Sequence, residues 1–336
     1  MLGLQAYSNA RKEFVGEASV FLDANELPFE FKDNGYNRYP DPLQQGLKKE
    51  LSAFYGVAAN QLFLGNGSDE AIDLLMRLFL EPGVDSIMVQ EPTYSMYKQA
   101  ATINNIRTLN CPLNHEFNPN EEALFTALEK EKPKMLFFCS PNNPTGEVVP
   151  KKLIEKLCKT YSGLVIVDEA YIEFCIEESA VSLLNSYSNL VILRTLSKAW
   201  GMAGLRVGAA LAHPDLIDYL NRIKPPYNIP LPSQYKALEK LQKGKGVFSK
   251  QVATIVEQRN LLVEQLLQLP FVKKVYPSKA NFLLVEFTNA KSVYKALAEK
   301  GIVVRDRSSY VANTLRISIG KPQENELLIQ ALETLS

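Results

Sequence analysis

Two histidines and four cysteines are all that the 336-residue chain offers of those types. His115 and His213 stand far apart, in no metal-ligand spacing such as H-E-x-x-H, so metal-assisted hydrolysis and Ser-His-Asp chemistry have little to start from. Cys111, Cys139, Cys158 and Cys175 include no C-x-x-C pair, which removes a zinc knuckle and a disulfide framework and leaves reduced, mostly buried thiols. Charge of one sign is not in excess: 37 basic residues against 37 acidic ones give zero formal net charge. A protein that neutralises nucleic-acid phosphates needs a basic surplus, so nucleic acid is excluded as a partner class. No apolar run approaches the ~18 residues of a membrane span. The opening MLGLQAYSNARKEF meets polar and charged residues before a secretory core could form. The expectation is a soluble cytoplasmic protein with no membrane partner. Its length suits two domains at roughly 100 to 200 residues each.

Through the first two thirds, short apolar runs alternate with amphipathic stretches. Strands are expected at 61–64, 86–90, 106–110, 135–139, 164–167 and 191–194, with helices over 70–80, 94–104, 121–131 and 151–161 between them. Such alternation predicts an α/β fold in which a mostly parallel sheet lies between helices and ligands bind at the carboxyl ends of the strands. The four prolines at 225, 226, 230 and 232 are expected to prevent regular structure. After Lys243-Gly244-Lys245-Gly246, a long helix carrying Val252, Ile255, Val256, Leu262, Val263, Leu266 and Leu267 on one stripe opens a smaller α+β region. That region has strands at 281–287, 302–305 and 315–319 and a helix over 292–300. The domain expectation is a large domain over 37–244, with 1–36 and 245–336 forming an N-terminal arm and a small C-terminal domain.

The chemically informative residues follow the strands. Asp168 and Tyr171 come directly after 164–167; a carboxylate there serves equally as a helix cap or as a functional group. After 191–194 comes Thr195-Leu196-Ser197-Lys198-Ala199-Trp200-Gly201-Met202-Ala203-Gly204-Leu205-Arg206-Val207-Gly208. Lysine is the side chain that forms a Schiff base with a carbonyl, and its pKa falls when it is buried or near another cation. Thr195, Ser197 and Arg206 are donors suited to a phosphate, and the three glycines of this turn point to close backbone approach. Asn143, in Ser140-Pro141-Asn142-Asn143-Pro144-Thr145-Gly146, is turn chemistry that also offers an amide donor. Tyr94 offers a flat face for stacking, or simply packing. Gly65-Asn66-Gly67-Ser68-Asp69-Glu70 precedes a helix whose N-terminus suits a phosphate. It also carries two thirds of a dinucleotide fingerprint, with Glu91 near the place of a ribose-binding acid, but Glu70 replaces the third glycine. One cofactor uses the whole set. Pyridoxal phosphate needs a lysine for its aldehyde, a carboxylate at its ring nitrogen, donors to its phenolic oxygen, a stacking partner and a phosphate cup.

SPNNPTG, DEAY and LSKAWGMAGLRVG, in this order, resemble the fold-type I pyridoxal 5'-phosphate-dependent aminotransferases of the class II subfamily. Arg38-Tyr39-Pro40-Asp41, Gly67-Ser68-Asp69-Glu70 and Leu315-Arg316-Ile317-Ser318-Ile319-Gly320 resemble the branch acting on histidinol phosphate. The resemblance implies that Lys198 carries the cofactor and that Asp168 pairs with its ring nitrogen. Asn143 and Tyr171 hold the phenolic oxygen, Tyr94 stacks on the ring, and Ser68, Asp69, Thr195, Ser197 and Arg206 surround the phosphate. It further implies a homodimer in which Tyr39 enters the neighbouring site, with Tyr7, Asn143, Arg305 and Arg316 binding substrate. The substrates implied are histidinol phosphate and glutamate or 2-oxoglutarate, exchanged by a ping-pong mechanism in histidine biosynthesis. A threonine-phosphate decarboxylase or an aromatic amino-acid aminotransferase looks similar in the same motifs. Asn25-Glu26-Leu27-Pro28-Phe29 departs from the family's Asn-Glu-Asn-Pro-x-Gly, with Leu27 in the place of its second asparagine. Arg316, between Leu315 and Ile317, faces away from them, toward a cleft or toward water.

Overall fold

The computed structural model describes residues 10, 14, 16, 18–30 and 35–335. Its first half runs α1 (Gln45–Tyr55), β1 (Leu62–Asn66), α2 (Ser68–Phe79), β2 (Ser86–Val89), α3 (Met96–Ile103), β3 (Arg107–Asn110), α4 (Glu121–Glu131) and β4 (Met135–Cys139). There follow α5 (Lys151–Thr160), β5 (Leu164–Asp168), β6 (Leu190–Thr195), β7 (Val207–Leu211), α6 (Pro214–Ile223) and α7 (Leu231–Lys243). Strands β1 to β7 form one sheet in the order β1-β7-β6-β5-β4-β2-β3. Strands β4 and β6 are buried along their whole length, because helices cover both faces and leave no solvated side. Alternate residues feed two separate cores. Leu136, Phe138, Val165, Val167 and Ile192 pack on one face with α1, α4, α5 and α7. Met135, Phe137, Ile166, Val191 and Leu193 pack on the other with α2, α3 and α6.

This period of two decides where the polar residues at the strand ends point. Asp168 continues the face of Ile166, and Thr195 that of Leu193, toward α2 and α3. Arg194 continues the face of Ile192, toward the opposite layer. There it lies buried between Glu169 at 2.8 Å and Glu173 at 3.1 Å, under the face of Tyr55. Those two carboxylates bracket Ala170 and Tyr171, so the ion-pair network pins the turn that presents Asp168.

The rest of the chain is α8 (Lys245–Leu266), β8 (Val272–Val275), β9 (Phe282–Phe287), α9 (Ala290–Glu299), β10 (Arg305–Asp306), β11 (Thr314–Ser318) and α10 (Pro322–Glu333). Its antiparallel sheet has the order β10-β11-β9-β8 and packs on α9, α10 and the second half of α8 through Leu262, Leu266, Leu297, Leu315 and Leu332. The first half of α8 lies on the large sheet's core through Val252 and Val256. Arg259 donates to the Ala280 carbonyl at 2.9 Å, and the Lys279 N–H donates to the Gly146 carbonyl at 2.8 Å. These contacts hold the small sheet against the turn that carries Asn143.

Two expectations are corrected, and two strands, β7 and β8, stand where none was expected. Strand β7 pairs antiparallel with both β6 and β1, since it follows β6 through a loop with no crossover helix to reverse the chain. The proline segment is not irregular throughout: α7 starts at Leu231 with Pro232 in its first turn, where a missing N–H costs nothing. The expected strand at 302–305 pairs only at Arg305–Asp306. Strand β8 is an edge strand whose Val-Lys-Lys-Val sequence exposes both lysines and shows no alternation. Among the described residues, no helix is long and apolar enough to cross a membrane.

Candidate active site

A cleft of about 190 Å³ opens at the carboxyl ends of β5 and β6 and is closed by the N-terminus of α2. Asp168 forms its floor, 2 % exposed. One carboxylate oxygen accepts from the Tyr97 hydroxyl at 2.8 Å and the other from the Ala170 N–H at 3.1 Å. Burial pushes the Asp168 carboxyl up to about 6 in spite of these two hydrogen bonds. A buried carboxylate in this state gains from a cationic partner. Lys198 lies open to the same cleft, with Nζ 5.5 Å from the centre of the Tyr171 ring. Removal from water holds its ammonium below the usual lysine range; Arg316 and Arg206 add to this, and Asp168 and Asp69 oppose it. Asn143 donates to the Tyr171 hydroxyl at 3.3 Å and accepts from Arg316 at 2.6 Å, which ties the small sheet to this end of the site.

The opposite end is a cup of donors. Glycine is required at two places. A Cβ at Gly67, whose φ is +76°, would sit 2.7 Å from the Arg206 guanidinium, and one at Gly208 would sit 2.2 Å from the Ser68 nitrogen. Their absence lets the start of α2 close on β7, so that Ser68 and Asp69 face Thr195, Ser197 and Arg206 across the cleft. Thr195 and Ser197 share a hydrogen bond of 3.0 Å, and Arg206 stands 3.6 Å from Asp69. Tyr94 donates to Asp69 at 3.2 Å and packs edge-on against Tyr97.

Eleven residues of the expected set are thus brought together: Lys198, Asp168, Tyr171, Asn143, Tyr94, Ser68, Asp69, Thr195, Ser197, Arg206 and Arg316. Tyr39 is not in this chain's cleft; it is exposed, stacked on Tyr227 at 4.4 Å, with its backbone N–H on Glu26. Glu26 also pairs with Arg38 at 2.8 Å, so the divergent arm segment still makes a defined contact. Arg305 is exposed at the edge of the small sheet. Tyr7 lies outside the described residues. The glycine-loop acid Glu70 accepts from the Asn66 N–H and from Asn228. It is a structural anchor, which explains why no third glycine stands there.

Three participants carry no expected role in the sequence. Tyr97 is wholly buried, stacked on Phe137 at 4.9 Å, and its place three residues after Tyr94 in the helix expected over 94–104 was the available signal, although the helix itself starts at Met96. Trp200 stacks on Phe248 at 4.2 Å, and its carbonyl accepts from Lys240 at 2.6 Å, anchoring the loop that carries Lys198. Arg194 gave no signal apart from its place at a strand end.

The donor set tests the cofactor directly. A buried carboxylate calls for a cation at one end, two hydroxyls, a guanidinium and a helix N-terminus call for a phosphate at the other, and an amine of lowered basicity stands between them. A phosphorylated pyridinium aldehyde fits that order.

Residues 15–332 match the family described as aminotransferase class I and II. The chain belongs to that family, and the dinucleotide-binding alternative falls with it. A histidinol-phosphate aminotransferase from Parabacteroides distasonis is 47% identical over 334 residues, 99% of this chain and 95% of its own length. A solved histidinol-phosphate aminotransferase from Clostridium acetobutylicum superposes with a TM-score of 0.83 at 24% identity, over 90% of this chain and 91% of that one. Another, from Sinorhizobium meliloti in complex with pyridoxal-5'-phosphate, gives 0.81 at 21% identity, over 90% and 85%. Within the aminotransferases, the histidinol-phosphate aminotransferases are therefore the branch that this chain resembles over nearly its whole length.

Proposed function

We propose that the chain transfers an amino group between L-histidinol phosphate and 2-oxoglutarate, giving imidazole acetol phosphate and L-glutamate, with pyridoxal 5'-phosphate as cofactor. The observation that carries this reading is the meeting of Lys198 and buried Asp168 in one cleft. When bound, the cofactor supplies an aldehyde that captures the amine and a ring that accepts the electrons of the broken C–H bond. Lys198 would be the residue that holds the aldehyde, and its Nζ would move the proton at the substrate carbon; its lowered basicity favours the neutral amine that a base requires. Asp168 keeps a proton on the ring nitrogen. Tyr171 and Asn143 would hold the phenolic oxygen, Tyr94 would lie against the ring, and Ser68, Asp69, Thr195, Ser197 and Arg206 would hold the phosphate. Arg316 receives the substrate's anionic group. The protein is a cytoplasmic homodimer in this reading, with Tyr39 and Tyr7 completing the partner's site. The division at Gly244, between α7 and α8, separates its two domains.

Borohydride reduction of the cofactor-loaded protein, followed by peptide mapping, tests the assignment. The label is expected on the peptide holding Lys198 and is lost in Lys198→Ala. A label on another lysine overturns the reading.

A further inference from the structure

The two segments that carry the Tyr39–Tyr227 stack are joined by a buried lysine. Lys224 is 6 % exposed, and its ammonium donates to the Pro42 carbonyl at 2.8 Å, the Pro226 carbonyl at 2.9 Å, the Asn228 side-chain oxygen at 3.0 Å and the Pro225 carbonyl at 3.3 Å. These acceptors come from segments far apart in sequence: 39–42, which leads into α1, and 225–228, which leads into α7. An ammonium has three N–H donors and no acceptor, so it gathers converging carbonyls as no neutral side chain of its length can. Prolines stiffen both segments. Pro40 and Pro42 follow Tyr39, and Pro225 and Pro226 precede Tyr227, so tying residue 42 to residue 226 constrains the direction in which each tyrosine leaves the backbone.

Neighbouring amides extend the same knot. Gln44, 1 % exposed, donates to the Pro42 carbonyl at 2.9 Å and to the Asn228 side-chain oxygen at 3.2 Å. Gln234 of α7 donates to the Asp41 carbonyl at 3.1 Å and the Ile229 carbonyl at 3.0 Å. Asn228 donates to the Leu64 carbonyl at 3.0 Å and to Glu70 at 2.9 Å, bonds that do not pass through Lys224. Among the described residues no carboxylate pairs with the Lys224 ammonium. Asp41 instead accepts from the Leu43 N–H at 2.8 Å and the Gln45 N–H at 2.6 Å. Removal from water lowers Lys224 to about 8, against the opposing charges of Glu70 and Asp41. A buried charge without an ion pair is costly to keep, so what this one contributes is the connection between carbonyls.

We infer that Lys224 is a positioning residue that acts on the partner's site: by locking 39–42 to 225–228 it sets the direction in which Tyr39 is presented across the dimer. The inference rests on the shared-site reading above and deepens it. Lys224 does not line the cleft of its own chain. Tyr39 is 51 % exposed and gains little from its stack alone, so the lysine supplies the remaining constraint.

The test uses hybrid dimers isolated through two affinity tags and assayed with excess cofactor. One chain carries Lys198→Ala and keeps Tyr39; the other carries Tyr39→Ala and keeps Lys198, so one site of the hybrid holds both residues. kcat/KM is measured for histidinol phosphate with 2-oxoglutarate, and Lys224→Met, of similar length without a donor, is then placed in either chain. On the chain that donates Tyr39 it is expected to lower kcat/KM at least about fivefold, and on the chain that keeps Lys198 to leave it within about twofold. Lys224→Gln, which retains an amide donor, should show the same chain dependence with a smaller loss, and it decides if Lys224→Met does not fold. Equal losses from either chain, or a larger loss from the chain that keeps Lys198, mark a structural role and overturn the inference, as does no loss from either. Hybrids that are inactive before Lys224 is changed overturn the shared site and the inference with it; active hybrids indifferent to which chain is changed overturn the inference alone.

Discussion

Asp168 shows what a single residue costs the fold when it serves a site. Its carboxyl is raised to about 6 by burial, against an ordinary value near 4. The contribution is therefore fully present below about pH 4 and is lost as pH rises through about 6, by on the order of 2 to 3 kcal/mol. Asp168→Asn cannot ionise, although it gives up one of the two acceptors that Tyr97 and Ala170 use. The cofactor-free variant is expected to be more stable than the cofactor-free wild type above pH 6, by about 1 to 3 kcal/mol, with the difference closing toward pH 4. Denaturant titrations across pH 4 to 8 check this, and a difference that is constant with pH contradicts it. Asp168 and Lys198 were legible because their chemistry is rare at the end of an apolar strand. Tyr97 was not, since a tyrosine on an amphipathic helix is indistinguishable from core until its hydroxyl is seen on Asp168.

Among the elements, the loop between β6 and β7 carries the greatest functional burden. Its ends are fixed by the hydrogen bond from the Leu196 N–H to the Val207 carbonyl at 3.0 Å, and its middle by Trp200, 2 % exposed among Phe54 and Phe248. Trp200→Ala is expected to cost about 3 to 5 kcal/mol, as large aromatic truncations in cores do, and to slow incorporation of cofactor at Lys198. The indole Nε1 has no hydrogen-bond partner, so Trp200→Phe should cost much less, about 1 to 2 kcal/mol. Chemical denaturation followed by circular dichroism reads both; equal costs would show that the loop is held by something other than ring packing. Of the strands flanking this loop only β6 was visible as an apolar run; elsewhere in the sheet domain β4 and α4 match their expected bounds. The antiparallel turn into β7 was hidden, because Val207–Leu211 is short, small and glycine-containing and carries no period of its own. Arg305 illustrates the same limit: a strand of two paired residues is set by its neighbour across the ladder, which no local pattern reports.

At the scale of the whole molecule, Tyr39 has no place in its own chain's cleft and stands exposed on Tyr227. In the proposed dimer it completes the partner's site. Mixing inactive Tyr39→Ala with inactive Lys198→Ala chains should then restore part of the activity, because one hybrid site holds both intact residues; demonstrated subunit exchange with activity at background contradicts a shared site. The assignment as a whole is tested most directly by one parallel assay of the cofactor-loaded enzyme. Histidinol phosphate, histidinol, phenylalanine and threonine phosphate are each supplied with 2-oxoglutarate, and glutamate and carbon dioxide are followed. Two or three charge-assisted contacts to phosphate, at roughly 1.5 to 3 kcal/mol each, predict a kcat/KM for histidinol phosphate at least about a hundredfold above histidinol and above that of phenylalanine. A higher kcat/KM for phenylalanine, or carbon dioxide released from threonine phosphate, would contradict it.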